Sequence, residues 1–220
     1  MKLMILSQPR SGSSYLQNVF RRNYAASVVF PEPFSEDNGV IDSSYVNNII
    51  EQCNNNSFVM KTHISQLFDI ESRDYFLYND WHKIILLRKN LYKQAMSFAL
   101  AQTLNEFDFT GKFFLPIKVD TKMFLKSCEL LVNEWNTFVN WKENMTNYKI
   151  TYYEDLTFKP TKDIKKLGFP INTQKYKNKT IKTPPLVKNE HVLIEIFNEY
   201  MLSVKLDSRI KNNNGILELV

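Results

Sequence analysis

Short apolar runs of strand length alternate along the chain with stretches in which apolar residues recur at helical spacing. The predicted strands are Leu3–Leu6, Ser27–Phe30, Phe58–Thr62, Lys83–Arg88 and Lys149–Tyr153. Between the second and third of these, Val46, Ile49 and Ile50 form the apolar stripe of a helix predicted near Asp42–Cys53. Strands that alternate with helices predict an α/β fold with a central, mostly parallel sheet flanked by helices.

Three further helices follow from the same pattern. They are predicted at Tyr15–Phe20, from Asn90 as N-cap to about Leu104, and from about Thr121 to Met145. The tail around Asn212–Gly215 predicts a polar turn rather than a second domain. The Phe-rich stretch from about Asn105 to Asp120 fits a lid or an acceptor pocket as well as it fits a packed connection.

The composition is that of an ordinary globular protein. The length of 220 residues predicts a single domain, residues 1–220, and the contents of 44% hydrophobic and 23% charged residues are typical of soluble proteins. The net charge of 28 − 23 = +5 comes without any long Lys/Arg run, so we expect no nucleic-acid partner. A mild positive excess suits a protein that binds a polyanionic nucleotide.

The cysteines and the N-terminus predict a cytoplasmic protein. Cys53 and Cys128 are too few for a disulfide framework, and reduced thiols are the expectation. Met1-Lys2 leads directly into the first strand, and no apolar run has the length of a membrane span, so we expect neither a signal peptide nor a stable membrane anchor. The three His and two Cys show no metal-ligand spacing, and no metal is expected.

The loop between the first strand and the first helix is a predicted anion site. Ser7–Ser14 joins the strand to a helix N-terminus, where backbone N–H groups lack partners and the helix dipole adds positive charge. Arg10 adds a full charge, and the hydroxyls of Ser11, Ser13 and Ser14 add donors. The loop is not a Walker A motif, because the chain contains no G-x-x-x-x-G-K-[ST] string. An ordinary strand–turn–helix with a Ser/Gly turn is the alternative.

Polar residues follow four of the predicted strands directly. Arg10, Glu32, His63 and Arg88 each lie at or just beyond a strand's carboxyl end. Ligands of open α/β sheets bind beyond these ends, so we expect the four side chains to line one site.

The segment Pro9–Leu16 resembles the 5′-phosphosulfate loop of sulfotransferases that use 3′-phosphoadenosine 5′-phosphosulfate (PAPS). This resemblance implies a P-loop NTPase-like sulfotransferase fold and PAPS as the cofactor. It also implies cofactor-binding roles for the loop and for Tyr15, which stands where relatives place an aromatic ring on the adenine. The loop residues concerned are Arg10, Ser11, Gly12, Ser13 and Ser14.

A second segment is similar to the family's 3′-phosphate-binding motif, a strand ending in Arg followed by a helix bearing Ser. Here the two residues are Arg88 and Ser97, and an Arg fork with a hydroxyl can grip a phosphate bidentately. Their separation is one position longer than in cytosolic sulfotransferases, and together with Gln94-Ala95 it looks more like the trehalose 2-sulfotransferase group.

The resemblance also implies two candidates for the general base. Lys61-Thr62-His63 resembles the K-T-H string of cytosolic sulfotransferases, in which the His is the base and the Lys contacts the sulfuryl group. Glu32 matches the carboxylate that is the candidate base in carbohydrate-type relatives. We favour His63, because an imidazole accepts protons near neutrality, with Glu32 helping to orient the acceptor.

Two C-terminal features complete the resemblance. Tyr152–Leu156 followed by Pro160 resembles a segment that many sulfotransferases share, and Glu154 or Asp155 is expected to brace the site. Three lysines are predicted to help hold the 3′-phosphate, although the glycine-bearing basic motif of cytosolic relatives is missing. These are Lys177, Lys179 and Lys182.

Together these segments predict an enzyme that moves a sulfuryl group from PAPS to an acceptor hydroxyl by in-line displacement. A carbohydrate or glycolipid acceptor is favoured, and a small phenol or a tyrosine is possible; the oligomeric state stays open. The alternatives are a P-loop-type nucleotide kinase and a nonenzymatic nucleotide-binding module on the same fold. The lack of a Walker lysine argues against the kinase.

Overall fold

The computed structural model describes residues 1–24, 26–105, 116–158, 164–169 and 186–220. The chain divides into two compact units, which are described separately. The first consists of Met1–Arg88 and Asn140–Tyr176, and the second of Lys89–Val139 and Lys177–Val220. The single domain expected from the length stays a prediction.

The first unit contains a five-stranded parallel sheet. Its strands are β1 (Lys2–Ser7), β2 (Val28–Pro31), β3 (Phe58–His63), β4 (His82–Leu87) and β5 (Tyr148–Tyr152). They are ordered β2-β3-β1-β4-β5, and every pairing is parallel. The three central strands are buried along almost their whole length, which explains why they read as continuous apolar runs. The predicted α/β class is confirmed.

The register brings the carboxyl ends of neighbouring strands level with one another. Ser7 at the end of β1 pairs with His63 on one side and with Leu86 on the other. Pro31 at the end of β2 pairs with Lys61. The residues that follow these strands therefore emerge along one edge of the sheet, where α/β proteins bind their ligands.

In the first unit, helices flank the sheet. The described residues include α1 (Ser13–Asn23), α2 (Ser43–Asn55), α3 (Arg73–Tyr78), α4 (Leu91–Leu104), α5 (Thr121–Trp141), α6 (Tyr153–Phe158) and α7 (Glu190–Ser203). In the first unit α1 packs its apolar face on the sheet, so that Leu16 and Phe20 join the core of β1, β3 and β4. This packing fixes the position of the α1 N-terminus relative to the end of β1.

The second unit contains α4, α7 and α5 up to Val139, together with a hairpin of β6 (Ile210–Asn213) and β7 (Ile216–Leu219). Asn90 caps α4 as predicted, since its side chain accepts a hydrogen bond from the Lys93 backbone N–H at 2.8 Å. The hairpin adds to the start of α4, where the Leu217 N–H donates to the Lys89 carbonyl at 2.9 Å.

The structure differs from the predictions at the end of the long helix, at the start of α6 and in the C-terminal tail. The long helix ends at Trp141 rather than Met145, because the chain turns there and the Asn144 N–H donates to the Trp141 carbonyl. Tyr153 begins α6 instead of ending β5. The tail forms a hairpin, because Asn214 and Gly215 both adopt the left-handed backbone that a two-residue hairpin turn requires.

Candidate active site

The loop after β1 is shaped by backbone conformation and by its own hydroxyl groups. Arg10 and Gly12 both have positive φ, at 60° and 82°. The Ser11 hydroxyl is buried and donates to the Gln8 carbonyl at 2.6 Å, so in this structure it braces the loop. Gly12 is the N-cap of α1 and has no side chain to cap it. The N–H groups of the first turn therefore face the loop as donors suited to an anion.

Tyr153 approaches Gly12 closely. A Cβ atom placed on Gly12 would lie 3.0 Å from Cδ2 of the Tyr153 ring, which is closer than side chains normally allow. The aromatic ring at the start of α6 thus packs directly on the glycine of the anion loop. The bracing role predicted for this segment was assigned to Glu154 or Asp155, and the contact of Tyr153 with Gly12 was not predicted.

Gly12→Ala should lower the free energy of unfolding by roughly 1–3 kcal/mol, because alanine is strained at positive φ and its methyl group would displace Tyr153. Urea unfolding measures the loss. The control is the same substitution made in a Tyr153→Ala background, which keeps the strained φ of residue 12 but leaves no ring beside the added methyl. Equal losses in the two backgrounds would show that the approach of Tyr153 contributes nothing.

Glu32 also has a left-handed backbone. Its φ is 53°, its N–H donates to the Lys61 carbonyl at 2.7 Å, and its carbonyl accepts from the Asn38 side chain at 2.8 Å. Apart from asparagines and glycines, Arg10 and Glu32 are the residues with positive φ in the described part of the chain. Such backbone strain costs energy and is often found at functional sites.

The side chains of Glu32, Lys61 and His63 form one cluster. Glu32 Oε1 contacts Lys61 Nζ in an ion pair and lies 3.3 Å from His63 Nε2. Lys61 Nζ also donates to the hydroxyl of Ser14, at the start of α1, at 3.0 Å. The side chains of Lys61 and His63 are 7% and 15% exposed, whereas that of Glu32 is 28% exposed. Glu32 is therefore the member of the cluster that solvent reaches most easily.

Two residues that sequence analysis did not single out complete this cluster. The Ser7 hydroxyl lies 3.2 Å from His63 Nδ1, and the Gln66 amide donates to Glu32 Oε2 at 3.2 Å. Both ring nitrogens of His63 therefore have partners. The Ser7 contact follows from the β1–β3 register, which a single sequence does not reveal.

The electrostatics of the cluster keep Glu32 ionised. Burial by itself would raise the pKa of Glu32. The hydrogen bonds and positive charges of His63 and Lys61 outweigh this effect and hold the pKa well below its usual range. Glu32 is thus a poor proton acceptor in this arrangement and a strong stabiliser of positive charge on its neighbours.

Arg88 lies directly after β4 and contacts the anion loop. Its Nη1 donates to the Arg10 carbonyl at 3.1 Å, and its guanidinium carbon lies 4.5 Å from the centroid of the Tyr153 ring. Burial lowers the pKa of Arg88, while Tyr153 and Glu154 oppose that shift. Among the described residues, Arg88 Nε is buried without a hydrogen-bond partner, and Glu154 Oε1 is 4.0 Å away. An orphaned guanidinium N–H of this kind fits an acceptor oxygen such as that of a phosphate.

The remaining predicted site residues lie in different places. Ser13 is buried at the start of α1, and Tyr15 is half-buried and packs against the core of the first unit. Ser97 lies on α4 in the second unit. Several predicted positions lie outside the described residues. These are Pro160, Lys177, Lys179, Lys182 and most of the stretch Asn105–Asp120.

The fold is that of the sulfotransferases. A sulfotransferase from Alicyclobacillus acidocaldarius matches with a TM-score of 0.52 and 14% identity over 91% of each chain. Mouse sulfotransferase SULT7A1, solved in complex with PAP, matches with a TM-score of 0.52 and 17% identity over 79% of this chain. The chain spans 60% of the length of the mouse protein. The sulfotransferase domain from the curacin biosynthetic pathway aligns over 94% of this chain and 98% of its own length, with 14% identity and a TM-score of 0.49.

No protein-family model matches the sequence, and no curated protein matches it. Within the described ranges, no helix is both long and apolar enough to cross a membrane.

Proposed function

We propose that this chain is a PAPS-dependent sulfotransferase that transfers the sulfuryl group to an acceptor hydroxyl. The observation that carries the proposal is the cluster of Glu32, Lys61 and His63, which the Lys61–Ser14 hydrogen bond joins to the N-terminus of α1. It combines a cation, a candidate base and an anion-binding helix end in one place, and in-line transfer of a sulfuryl group needs all three.

The proposed cofactor-binding residues fit a nucleotide that carries phosphate groups at the 3′ and 5′ positions of its ribose. The loop from Arg10 to Ser14 would hold the 5′-phosphosulfate, with Tyr15 beside the adenine. Arg88 would bind the 3′-phosphate, and its orphaned Nε is a donor suited to it. A role for Ser97 in binding this phosphate is proposed from the sequence resemblance alone. When bound, PAPS supplies the sulfuryl group and a phosphate leaving group.

His63 is the proposed general base. Glu32 has a lowered pKa and so stays ionised, which makes the imidazole the better member of the pair to accept the hydroxyl proton. The positive charge that His63 gains is stabilised by the carboxylate 3.3 Å from Nε2. Lys61 and Arg10 provide the positive charge that stabilises the transferring group and the departing phosphate.

The acceptor is a hydroxyl compound, and the likeness of Glu32 and of the Arg88–Ser97 spacing to the trehalose 2-sulfotransferase group favours a carbohydrate or glycolipid. A cytoplasmic location without a stable membrane anchor or a nucleic-acid partner stays part of the proposal. We also propose that the positively charged side chains of the protein take the role that a metal ion has in kinases.

Transfer of labelled sulfate from PAPS to a panel of hydroxyl acceptors should persist in EDTA, because Lys61 and Arg10 would replace a metal ion. The measurement is product formation with and without chelator. Lys61→Met should abolish transfer, while Lys93→Met, a substitution of an exposed lysine on α4, should leave it unchanged. Activity that EDTA removes and magnesium restores would support a kinase. PAPS binding without turnover on any acceptor would support a nonenzymatic nucleotide-binding module.

A further inference from the structure

Gln66 contacts three parts of the candidate active site. It lies in the short 3₁₀ turn Ser65–Leu67 that follows β3, three residues after His63. Its side chain is within hydrogen-bond distance of the His63 backbone, the Thr62 hydroxyl and the Glu32 carboxylate. Neither the resemblance to sulfotransferases nor the sequence pattern assigns it a role.

The hydrogen bonds of Gln66 determine which way its amide faces. Oε1 accepts from the His63 backbone N–H at 2.9 Å and from the Thr62 hydroxyl at 3.0 Å. A backbone N–H can only donate, so the atom facing it must be the amide oxygen. The amide NH₂ group then points away from β3, toward Glu32.

The NH₂ group of Gln66 donates to Glu32 Oε2 at 3.2 Å, while Glu32 Oε1 contacts Lys61 and His63. The two carboxylate oxygens therefore have different partners, and rotation of the carboxylate would break the bonds of both. Glu32 needs this support, because it follows the end of β2 on a strained left-handed backbone and is the most exposed member of the cluster.

We propose that Gln66 is a positioning residue that fixes the rotation of the Glu32 carboxylate and so holds Oε1 against His63 and Lys61. Its effect on catalysis rests on the sulfotransferase function proposed above, whereas its effect on Glu32 does not. Among the described residues, the charged or titratable groups that contact the Glu32 carboxylate are Lys61 and His63, both on β3. Gln66 is the neutral partner of that carboxylate.

The first experiment needs no enzymatic activity. Gln66→Glu keeps the side-chain shape and the two bonds to β3, but it replaces the NH₂ donor by a carboxylate oxygen facing Glu32 Oε2. Two carboxylates at this distance should share a proton, so one carboxyl should titrate above the ordinary Glu value of about 4.3. Carbon-13 NMR of Glu-labelled protein measures this titration.

The raised titration should be absent from the wild type and from the double variant that combines Gln66→Glu with Glu32→Gln. If Gln66→Glu shows no carboxyl above the ordinary range, the two side chains do not face each other in solution and the proposal is wrong. This result does not depend on whether the protein transfers sulfate.

The second experiment measures the effect on catalysis. Gln66→Met, which removes the amide but preserves the length of the side chain, should lower the single-turnover rate about 10–100-fold, as loss of a supporting hydrogen bond commonly does. The affinity for adenosine 3′,5′-bisphosphate should stay within about 2-fold of the wild type, because the hydrogen bonds of the Gln66 side chain within the described ranges go to Thr62, His63 and Glu32, outside the proposed nucleotide site. Gln52→Met on α2 is the matched control, and its rate should be that of the wild type.

A positioning role also predicts that the effects of Gln66→Met and Glu32→Gln are not additive. Once Gln66 is replaced, Glu32→Gln should cost much less than it costs in the wild type. If the two effects multiply, Gln66 acts independently of Glu32 and the proposal is overturned. If the wild type itself transfers no sulfate to any acceptor, the proposed function fails and the NMR result alone decides the role of Gln66.

Discussion

Replacing His63 by alanine is expected to lower the single-turnover rate of sulfuryl transfer about 10²–10⁴-fold, the usual contribution of a general base. The imidazole lies between the Ser7 hydroxyl and the Glu32 carboxylate, with each ring nitrogen next to one of them. Since the pKa of Glu32 is held well below its usual range, the carboxylate is the poorer proton acceptor of the pair, and His63 is the proposed base.

Glu32→Gln should have a smaller effect on the same rate. The amide would still accept a hydrogen bond from Lys61 or His63, but it would no longer stabilise the positive charge on the imidazole with a full negative charge. Rapid-quench measurement of one turnover, with saturating PAPS and acceptor, separates the two variants. Binding of adenosine 3′,5′-bisphosphate must be unchanged in both for the comparison to report on the base.

His191→Ala is the matched control for loss of an imidazole, because His191 is exposed on α7 in the second unit. It should transfer at the wild-type rate. If His63→Ala keeps a near-normal rate while Glu32→Gln loses it, the carboxylate is the base. The site would then resemble that of the trehalose 2-sulfotransferase group rather than that of cytosolic sulfotransferases.

The strands of the sheet and the loop after β1 were predicted from local sequence, and the structure contains them. Apolar runs identified all five strands of the parallel sheet. Strands that are buried on both faces consist of nearly continuous apolar residues, which makes them easy to recognise in a sequence. The strand–loop–helix element around Arg10 and Gly12 could also be predicted, because its strand, loop and helix follow one another directly in the sequence. For Glu32, Lys61 and His63 the sequence predicted only that they lie at the carboxyl ends of strands. It did not predict which of their atoms contact one another.

Contacts between segments distant in the chain could not be predicted. The Ser7–His63 contact depends on the register of β1 against β3, and the Gln66–Glu32 contact depends on the direction of a short turn. The left-handed backbone of Glu32 is equally unexpected, because such conformations are uncommon for residues other than glycine and asparagine. The two side-chain contacts also need segments that are distant in the chain to lie side by side, and the pattern within one strand does not show which strands are neighbours.

Lys83, at the amino end of β4, is a further residue whose contacts could not be predicted from the sequence. It was identified as the first residue of a buried strand, and it is 1% exposed. Its ammonium group reaches backbone carbonyls of two neighbouring turns, those of Asn79, Trp81 and Thr146. Burial lowers the pKa of Lys83 to about 8, against a smaller opposing effect of Asp80. Sequence alone gives no sign that these carbonyls surround the charge.

Arg88 is expected to determine which nucleotide the protein prefers. Adenosine 3′,5′-bisphosphate should raise the melting temperature clearly more than ADP or ATP, because ADP and ATP lack the 3′-phosphate. A ligand at about 100 times its dissociation constant stabilises the folded protein by about 2.7 kcal/mol, which thermal unfolding detects easily. Equal shifts for the three nucleotides would contradict the assignment of a 3′-phosphate site.

Arg88→Ala should abolish this preference and weaken binding of adenosine 3′,5′-bisphosphate by roughly 10–100-fold, the effect of losing a hydrogen bond to a charged group. The ratio of affinities for adenosine 3′,5′-bisphosphate and ADP is the decisive quantity. Arg88 also donates to the Arg10 carbonyl, so its loss should weaken both nucleotides through the loop. Only loss of the 3′-phosphate contact changes the ratio.

Two further variants separate charge from geometry. Arg88→Lys keeps a positive charge but lacks the planar fork that binds phosphate bidentately, so it should restore only part of the preference. Arg73→Ala removes an arginine that stacks on Trp141 in the same unit, and it should leave the ratio unchanged. If Arg88→Ala weakens both nucleotides equally, Arg88 serves only to hold the Arg10 loop, and the 3′-phosphate must be bound by other residues.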